Sequence, residues 1–284
     1  MKSLVHALHR TRSSGIPLPD RFPSLAQAGI RFRRGQVHMI CGRPGAGKSL
    51  LALDYAVHVG VNTLYISADS DEDTVFNRVA AQRLNMEVSE VEEMRGTPAQ
   101  AILEEDLAEL RNIKFVYNPN PSLDDIDEEL AAWNEVYGAQ PDLIVVDNLM
   151  NCQPDGNDQE YLGYVQLTKA FHEVARHTGS AMIVLHHTSE STGKPTEPQG
   201  SAAVMGKTNA MPEVVLTVAL EPELNEFRVA AVKNRNGKAD ASARTWITLH
   251  VDLAKMKVAE HPLVAPEGIH SEAIDRYWSE INGQ

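Results

Sequence analysis

Two hydrophobic rhythms alternate along the chain. Compact β-rich runs are followed by longer stretches in which apolar residues return at helical spacing, the first fitting a strand and the second an amphipathic helix. Residues 37–41 predict a strand and residues 50–57 a helix. Residues 62–68 predict a second strand, after which Ser70, Asp71, Glu72 and Asp73 supply a cap and first-turn acids for a helix ending near Leu84. A helix over 97–111, a strand over 113–117 and a helix over 122–137 follow, the last opened by Ser122 and closed by Gly138. Residues 141–147 read differently. Leu143, Ile144, Val145 and Val146 are continuously apolar but too few for a helix, and Pro141 and Asp147 bound them. That pattern predicts a strand buried on both faces of a parallel sheet.

The second half repeats the theme. Residues 159–178 predict a helix with Tyr161, Tyr164, Val165, Thr168, Phe171 and Ala175 on its buried face, and residues 180–186 another buried strand. Residues 188–212 are rich in Ser, Thr, Gly and Pro, and an irregular stretch of that length inside a compact domain usually carries function. Strands are expected over 214–219, 227–233 and 244–251, the last two joined through Asn234-Arg235-Asn236-Gly237-Lys238, whose Asn-Gly suits a tight turn. A short helix is expected over 271–281. The sum is an α/β fold, a mostly parallel sheet flanked by helices with an antiparallel C-terminal extension.

Composition narrows the setting. At 284 residues and 43% hydrophobic content the chain can bury a substantial core, and no apolar run approaches the length of a membrane span. Cys41 and Cys152 are the only cysteines, which makes no disulfide framework and fits a reducing cytoplasm. The net charge of −13 is unevenly spread: residues 1–36 hold seven Lys/Arg against Asp20 alone. The expected organisation is a basic arm over 1–14 that packs on a neighbouring subunit or a nucleic acid, a folded domain over 15–258 and a tail over 259–284.

The chemistry enters at Gly42-Arg43-Pro44-Gly45-Ala46-Gly47-Lys48-Ser49, a complete G-x-x-x-x-G-K-[ST] between a predicted strand and a predicted helix. There the backbone N–H groups wrap phosphates at the positive end of a helix, the Lys reaches the β/γ oxygens and the Ser hydroxyl sits on Mg²⁺. Candidate nucleotide contacts are Gly42, Arg43, Pro44, Gly45, Ala46, Gly47, Lys48, Ser49 and Leu50. Asp147, at the carboxyl end of the buried strand, is the candidate second holder of Mg²⁺ beside Ser49. The implied cofactors are ATP and Mg²⁺.

Further landmarks resemble the RecA-type ATPases and, more closely, the DnaB-type replicative helicases. Ile66-Ser67-Ala68-Asp69 resembles the strand end that carries their catalytic carboxylate, and the LIVVDNLMN stretch resembles the Walker B strand. Leu185-His186-His187-Thr188-Ser189 resembles the third helicase motif, where a Gln or His senses the γ-phosphate. Gly200-Ser201 with Ala203 is similar to the element after the DNA-facing loop, and Lys233-Asn234-Arg235-Asn236-Gly237 to the basic turn that reaches the next subunit's nucleotide. The resemblance covers about residues 15–258 and implies a RecA-like ATPase core. It implies roles as well: Asp69 to orient and deprotonate water, His187 rather than His186 to face the nucleotide, and Arg235 with Lys233 to act in trans. It implies a homo-oligomer, a hexameric ring ahead of a filament, and single-stranded DNA held by residues 148–158 and 188–212. Lys194 and Lys207 are the candidate DNA contacts, yet Glu190 and Glu197 cancel them, so backbone N–H groups would supply many phosphate contacts.

The chain departs from the family in having Asp69 where Glu is usual and in a longer segment over 204–212. It lacks a counterpart of the helical N-terminal domain, so a minimal motor core is expected. The leading expectation is an ATP-hydrolysing motor on single-stranded DNA, of helicase or translocase type. The alternatives are a recombinase-like or mediator protein using ATP as a switch, a signalling ATPase acting on protein, and a metal-dependent nuclease built from Asp69, Asp71, Glu72, Asp73 and Asp147.

Overall fold

The continuous apolar runs become the central strands. The computed structural model describes residues 15–154, 160–190 and 193–261. Its first half runs α1 (Pro23–Gln27), β1 (Val37–Gly42), α2 (Lys48–His58), β2 (Thr63–Ser67), α3 (Glu72–Leu84), α4 (Val88–Met94), α5 (Gln100–Leu107) and β3 (Ile113–Tyr117). The second half runs α6 (Leu123–Tyr137), β4 (Leu143–Asp147), α7 (Glu160–Thr178), β5 (Ala181–His187), β6 (Val214–Glu221), β7 (Glu226–Asn234), β8 (Ile247–Asp252) and β9 (Lys257–Ala259). The strands form one sheet in the order β3-β2-β4-β5-β1-β6-β7-β8-β9. Pairing is parallel from β3 through β6 and antiparallel from β6 to β9.

Burial follows the pattern of the sequence. Every residue of β1, β2 and β4 is buried, because helices cover both faces. One core layer packs α2 under Tyr65, Val145, Ile183 and Leu216. The other sets Met39, Ile144, Met182 and Val184 against Ile126, Leu130 and Trp133 of α6 and Leu167 and Phe171 of α7. Helix α6 begins as its sequence dictates, with Ser122 and Asp125 in a reciprocal capping box, and ends at Gly138 in the left-handed conformation.

Several local expectations are corrected. The helix over 97–111 shortens to α5, and the unexpected α4 precedes it, separated by Gly96 at φ +72°. The two helices form a small core of their own with Ala80, Leu84, Met86 and Leu103. The strand expected from residue 244 starts at Ile247, because the Asp240 carboxylate accepts from the N–H groups of Ser242, Arg244 and Thr245 and holds them in a turn. The connection around the Asn-Gly is, as its length implies, longer than a two-residue hairpin: Asn236 N–H donates to Asn234 Oδ1 and Gly237 packs against Gly29. Strand β9 runs across residue 258 and was not expected. The arm over 1–14, the helix over 271–281 and the side chain of Tyr161 lie outside the described residues. Among the described residues no helix is long and apolar enough to cross a membrane.

Candidate functional site

The parallel strands end together, and the register sets which side chains meet at their carboxyl edge. Gly42 pairs with His187 across β1 and β5, and Ser67 pairs with Asp147 across β2 and β4. The glycine loop leaves β1 at this edge and enters α2 through Gly47. Gly47 has φ +84°, and a Cβ there would lie 2.5 Å from Phe227 Cε2, so only glycine fits the turn. Leu50 is in the core, which leaves its backbone as the part near the loop. Arg43 sends its guanidinium to the Gly193 carbonyl at 2.8 Å.

Lys48 is buried and folded back on its own loop, donating to Gly42 O at 3.2 Å and Arg43 O at 3.0 Å. Burial lowers its pKa, and the nearby Asp147, Cys41 and Asp69 oppose that shift. Asp147 is 3% exposed. Its Oδ2 accepts from the Tyr65 hydroxyl at 3.0 Å, while its Oδ1 is buried with no hydrogen-bond partner. Burial raises the Asp147 pKa, and the hydroxyls of Ser49 and Tyr65 pull it back. A buried carboxylate oxygen without a well-formed hydrogen bond, beside a Ser hydroxyl, a Lys and a phosphate loop, fits a divalent cation, with Ser49 and Asp147 as the groups to hold it. Among the described residues no group of three or more His, Cys, Asp or Glu side chains could hold a metal ion, so the acids of 69–73 and Asp147 form no two-metal cluster.

Asp69 is exposed in the turn after β2, and that turn is fastened to the end of β4. The N–H groups of Ala68 and Asp69 donate to the Asp147 carbonyl at 2.7 and 3.1 Å. Ser67 Oγ donates to Ser70 O at 2.7 Å, and Asn151 Nδ2 to Ala68 O at 3.2 Å. His187 is half-buried. Burial and Lys48 lower its pKa, while Asp69 and Glu190 raise it, which puts these charges in one neighbourhood. His186 turns the other way: it is buried, its Nε2 donates to Met205 O at 2.9 Å, and burial lowers its pKa to about 4. A cleft of about 540 Å³ opens beside the loop, lined by Pro44, Met150, Asn151, His187, Glu190 and Met205.

Lys233 and Arg235 are elsewhere. Lys233 lies opposite Val215, which is level with Met39, and the chain then runs away from Gly42 towards Arg235. Three residues of strand and two strand spacings separate the pair from its own loop, about 10 Å in each direction. Lys233 Nζ donates to Asn209 O at 2.8 Å and Ala210 O at 2.7 Å, and Arg235 reaches Ala210 O at 3.4 Å. Burial and Arg235 lower the Lys233 pKa to about 8. The segment Met205–Ala210, kinked at Gly206 and Lys207 where φ is positive, therefore bonds His186 at its start and the basic pair at its end. Of the candidate DNA contacts, Lys207 is exposed in this segment, whereas Lys194 is paired with Glu197 at 2.8 Å.

Residues 18–193 match the family described as the AAA domain. The chain belongs to the AAA-domain family. Among relatives of this AAA-domain chain, the Gene 65 protein of Mycobacterium phage L5 is 35% identical over 254 residues, covering 86% of this chain and 92% of the relative. The Gene 65 protein of Mycobacterium phage D29 is 36% identical over 220 residues, 74% of this chain and 93% of that one. In fold, a solved ATPase domain superposes with a TM-score of 0.76 at 14% identity, over 91% of this chain and 96% of that domain. A DnaB-like replicative helicase, in a structure describing its interactions with primase, gives 0.76 at 14% identity over 90% of this chain and 66% of the helicase chain. The fold is that of the RecA/DnaB-type P-loop ATPases.

Sequence reasoning missed two residues of this edge. Tyr65 and Asn151 reach it only through a strand register and a turn that long-range pairing sets. No local signal marked Tyr65, because Asp69 lies in the turn beyond β2, where strand alternation no longer applies.

Proposed function

We propose that the protein is an oligomeric ATPase that moves on single-stranded DNA, a motor of helicase or translocase type in DNA replication or repair. The observation that carries this reading is the division of charged groups between two places on the sheet. Lys48, Ser49, Asp69, Asp147 and His187 converge on the glycine loop, while Lys233 and Arg235 lie two strands away and further towards the amino ends of the parallel strands, about 10 Å off in each direction. A subunit arranged in this way completes its site only against a neighbour.

Each group then has a task. The loop's N–H groups and Lys48 hold the β- and γ-phosphates, Lys48 exchanging two carbonyl acceptors for phosphate oxygens. Bound Mg²⁺ would spread the phosphate charge, held through Ser49 and Asp147. Asp69 takes the proton of the attacking water, its backbone fixed to the Asp147 carbonyl. His187 donates to the γ-phosphate, and Arg235 of the adjoining subunit, seconded by Lys233, balances charge developing on the transferring group. The cleft beside the loop joins the segments after β4 and β5, so a strand of DNA bound there would touch the walls of the nucleotide site.

The test is ATP turnover with and without single-stranded DNA across protein concentration. Turnover should rise with DNA and rise steeply with concentration, and Lys48→Ala should abolish both responses. A DNA-independent turnover by a monomer overturns the proposal. Unwinding of a forked duplex supports a motor, whereas strand pairing without unwinding transfers the site to a recombinase-like role.

A further inference from the structure

Strand β2 leads into the turn that carries the candidate catalytic carboxylate, Asp69, and four residues before Asp69 the strand carries a tyrosine. The Tyr65 ring is 2% exposed and packs in the core against Phe115, with ring centroids 5.4 Å apart. Its hydroxyl emerges from that packing at one place, the carboxylate of Asp147, and donates to Oδ2 at 3.0 Å. A buried phenol needs a partner and a buried carboxylate needs donors, and this bond serves both. It also distinguishes the two oxygens of Asp147. Oδ2 is taken by the phenol, whereas Oδ1 is buried without a well-formed hydrogen bond, with the Ser49 hydroxyl close enough to pull the carboxyl's pKa down.

We propose that Tyr65 is a positioning residue for the nucleotide's metal ion: its hydroxyl clamps Oδ2 of Asp147 and thereby orients Oδ1 towards the space beside Ser49. The inference rests on the reading of Ser49 and Asp147 as the Mg²⁺-holding pair. The clamp is rigid at both ends. Tyr65 pairs with Phe115 and Val145 on the flanking strands, and Asp147 ends the buried β4 with its carbonyl accepting from Ala68 and Asp69. Without the hydroxyl, the carboxylate of Asp147 can rotate about its terminal torsion, which is soft, so that no single oxygen faces the cation. Partners that orient a metal-holding side chain commonly set its affinity for the ion, by a factor of about 10 to 100.

The experiment measures binding of a fluorescent ATP analogue to the full chain, in EDTA and across a Mg²⁺ titration, for the wild type and Tyr65→Phe. The substitution keeps the ring and its packing and removes only the hydroxyl. Affinity in EDTA should be unchanged, while the Mg²⁺ concentration for half-maximal enhancement should rise roughly tenfold. ATP turnover should be lost at limiting Mg²⁺ and recover at saturating Mg²⁺. In an Asp147→Asn background, Tyr65→Phe should add nothing further. The proposal is overturned if Tyr65→Phe and wild type share one Mg²⁺ dependence, which would make the hydroxyl a core group and no more. It is equally overturned if affinity in EDTA falls by the same factor as in Mg²⁺, which would mark a packing defect. A wild type whose nucleotide binding ignores Mg²⁺ would instead remove the reading of Ser49 and Asp147 on which the inference stands.

Discussion

At the scale of single residues, the site depends on groups whose burial or backbone leaves no alternative. Gly47 must hold φ +84° against the Phe227 ring, so Gly47→Ala should destabilise the fold by about 1–3 kcal/mol in urea unfolding and weaken nucleotide binding. Unchanged stability would mean that the loop reshapes freely. Asp69 is exposed and bonded through its backbone alone in the turn after β2, so Asp69→Asn should keep fold and nucleotide affinity while turnover falls at least a hundredfold, on the order of a general-base contribution. Retained turnover would assign the base elsewhere. Two buried histidines give the molecule an acid limit. Burial lowers the pKa of His38 to about 3 and of His186 to about 4, below the value of about 6.5 for an unfolded histidine. The unfolded chain therefore takes up protons first as pH falls. Stability from these two residues is full above pH ~6.5 and declines between there and the folded values. The thermal midpoint should drop from pH 7.5 to pH 5, and less so in His38→Gln, whose amide can replace both ring contacts. An equal drop in that variant would remove His38 from the account.

At the scale of elements, α2 does more than carry the glycine loop. Asp54, fully buried on it, accepts from Arg21 Nε at 2.9 Å and from the Val258 N–H at 3.1 Å, so one carboxylate ties the N-terminal segment and β9 to the helix behind the loop. Asp54→Ala leaves the Val258 amide and the Arg21 guanidinium without their acceptor and should cost about 3 kcal/mol. Hydrogen exchange should report faster opening at Val258 before the rest of the sheet; a uniform loss would mean that β9 is no separate unit. The elements also mark where pattern ceases to be informative. The runs at β1, β4 and β5 were legible because strands buried on both faces are apolar throughout. The helix expected over 97–111 is shorter, and α4 carries no legible signal, because acids on the outer faces of α4 and α5 obscure a small core shared with α3, and the break at Gly96 is a conformation, not a periodicity.

At the scale of the whole molecule, the division of charge between two places on the sheet makes an assembly prediction. Lys48→Ala keeps its Arg235, and Arg235→Ala keeps its glycine loop. If sites are shared, each variant is inactive alone, and an equal mixture should recover roughly a quarter of wild-type turnover, the share of intact interfaces under random head-to-tail mixing. No recovery on mixing would confine the site to one subunit. The sequence by itself determined the glycine loop between strand and helix, the alternation of strands and helices, and the placement of carboxylates just after β2 and at the end of β4, because these rest on local sterics and on burial of continuous apolar runs. Only the tertiary structure decided how they combine. The strand order puts Gly42 beside His187 and Asp147 beside Ser67, sets Lys233 and Arg235 two strands away from the glycine loop, and brings Tyr65 to Oδ2 of Asp147. Those relations come from hydrogen-bond register between strands distant in sequence, and a register is a property of the closed sheet that no local stretch of residues contains.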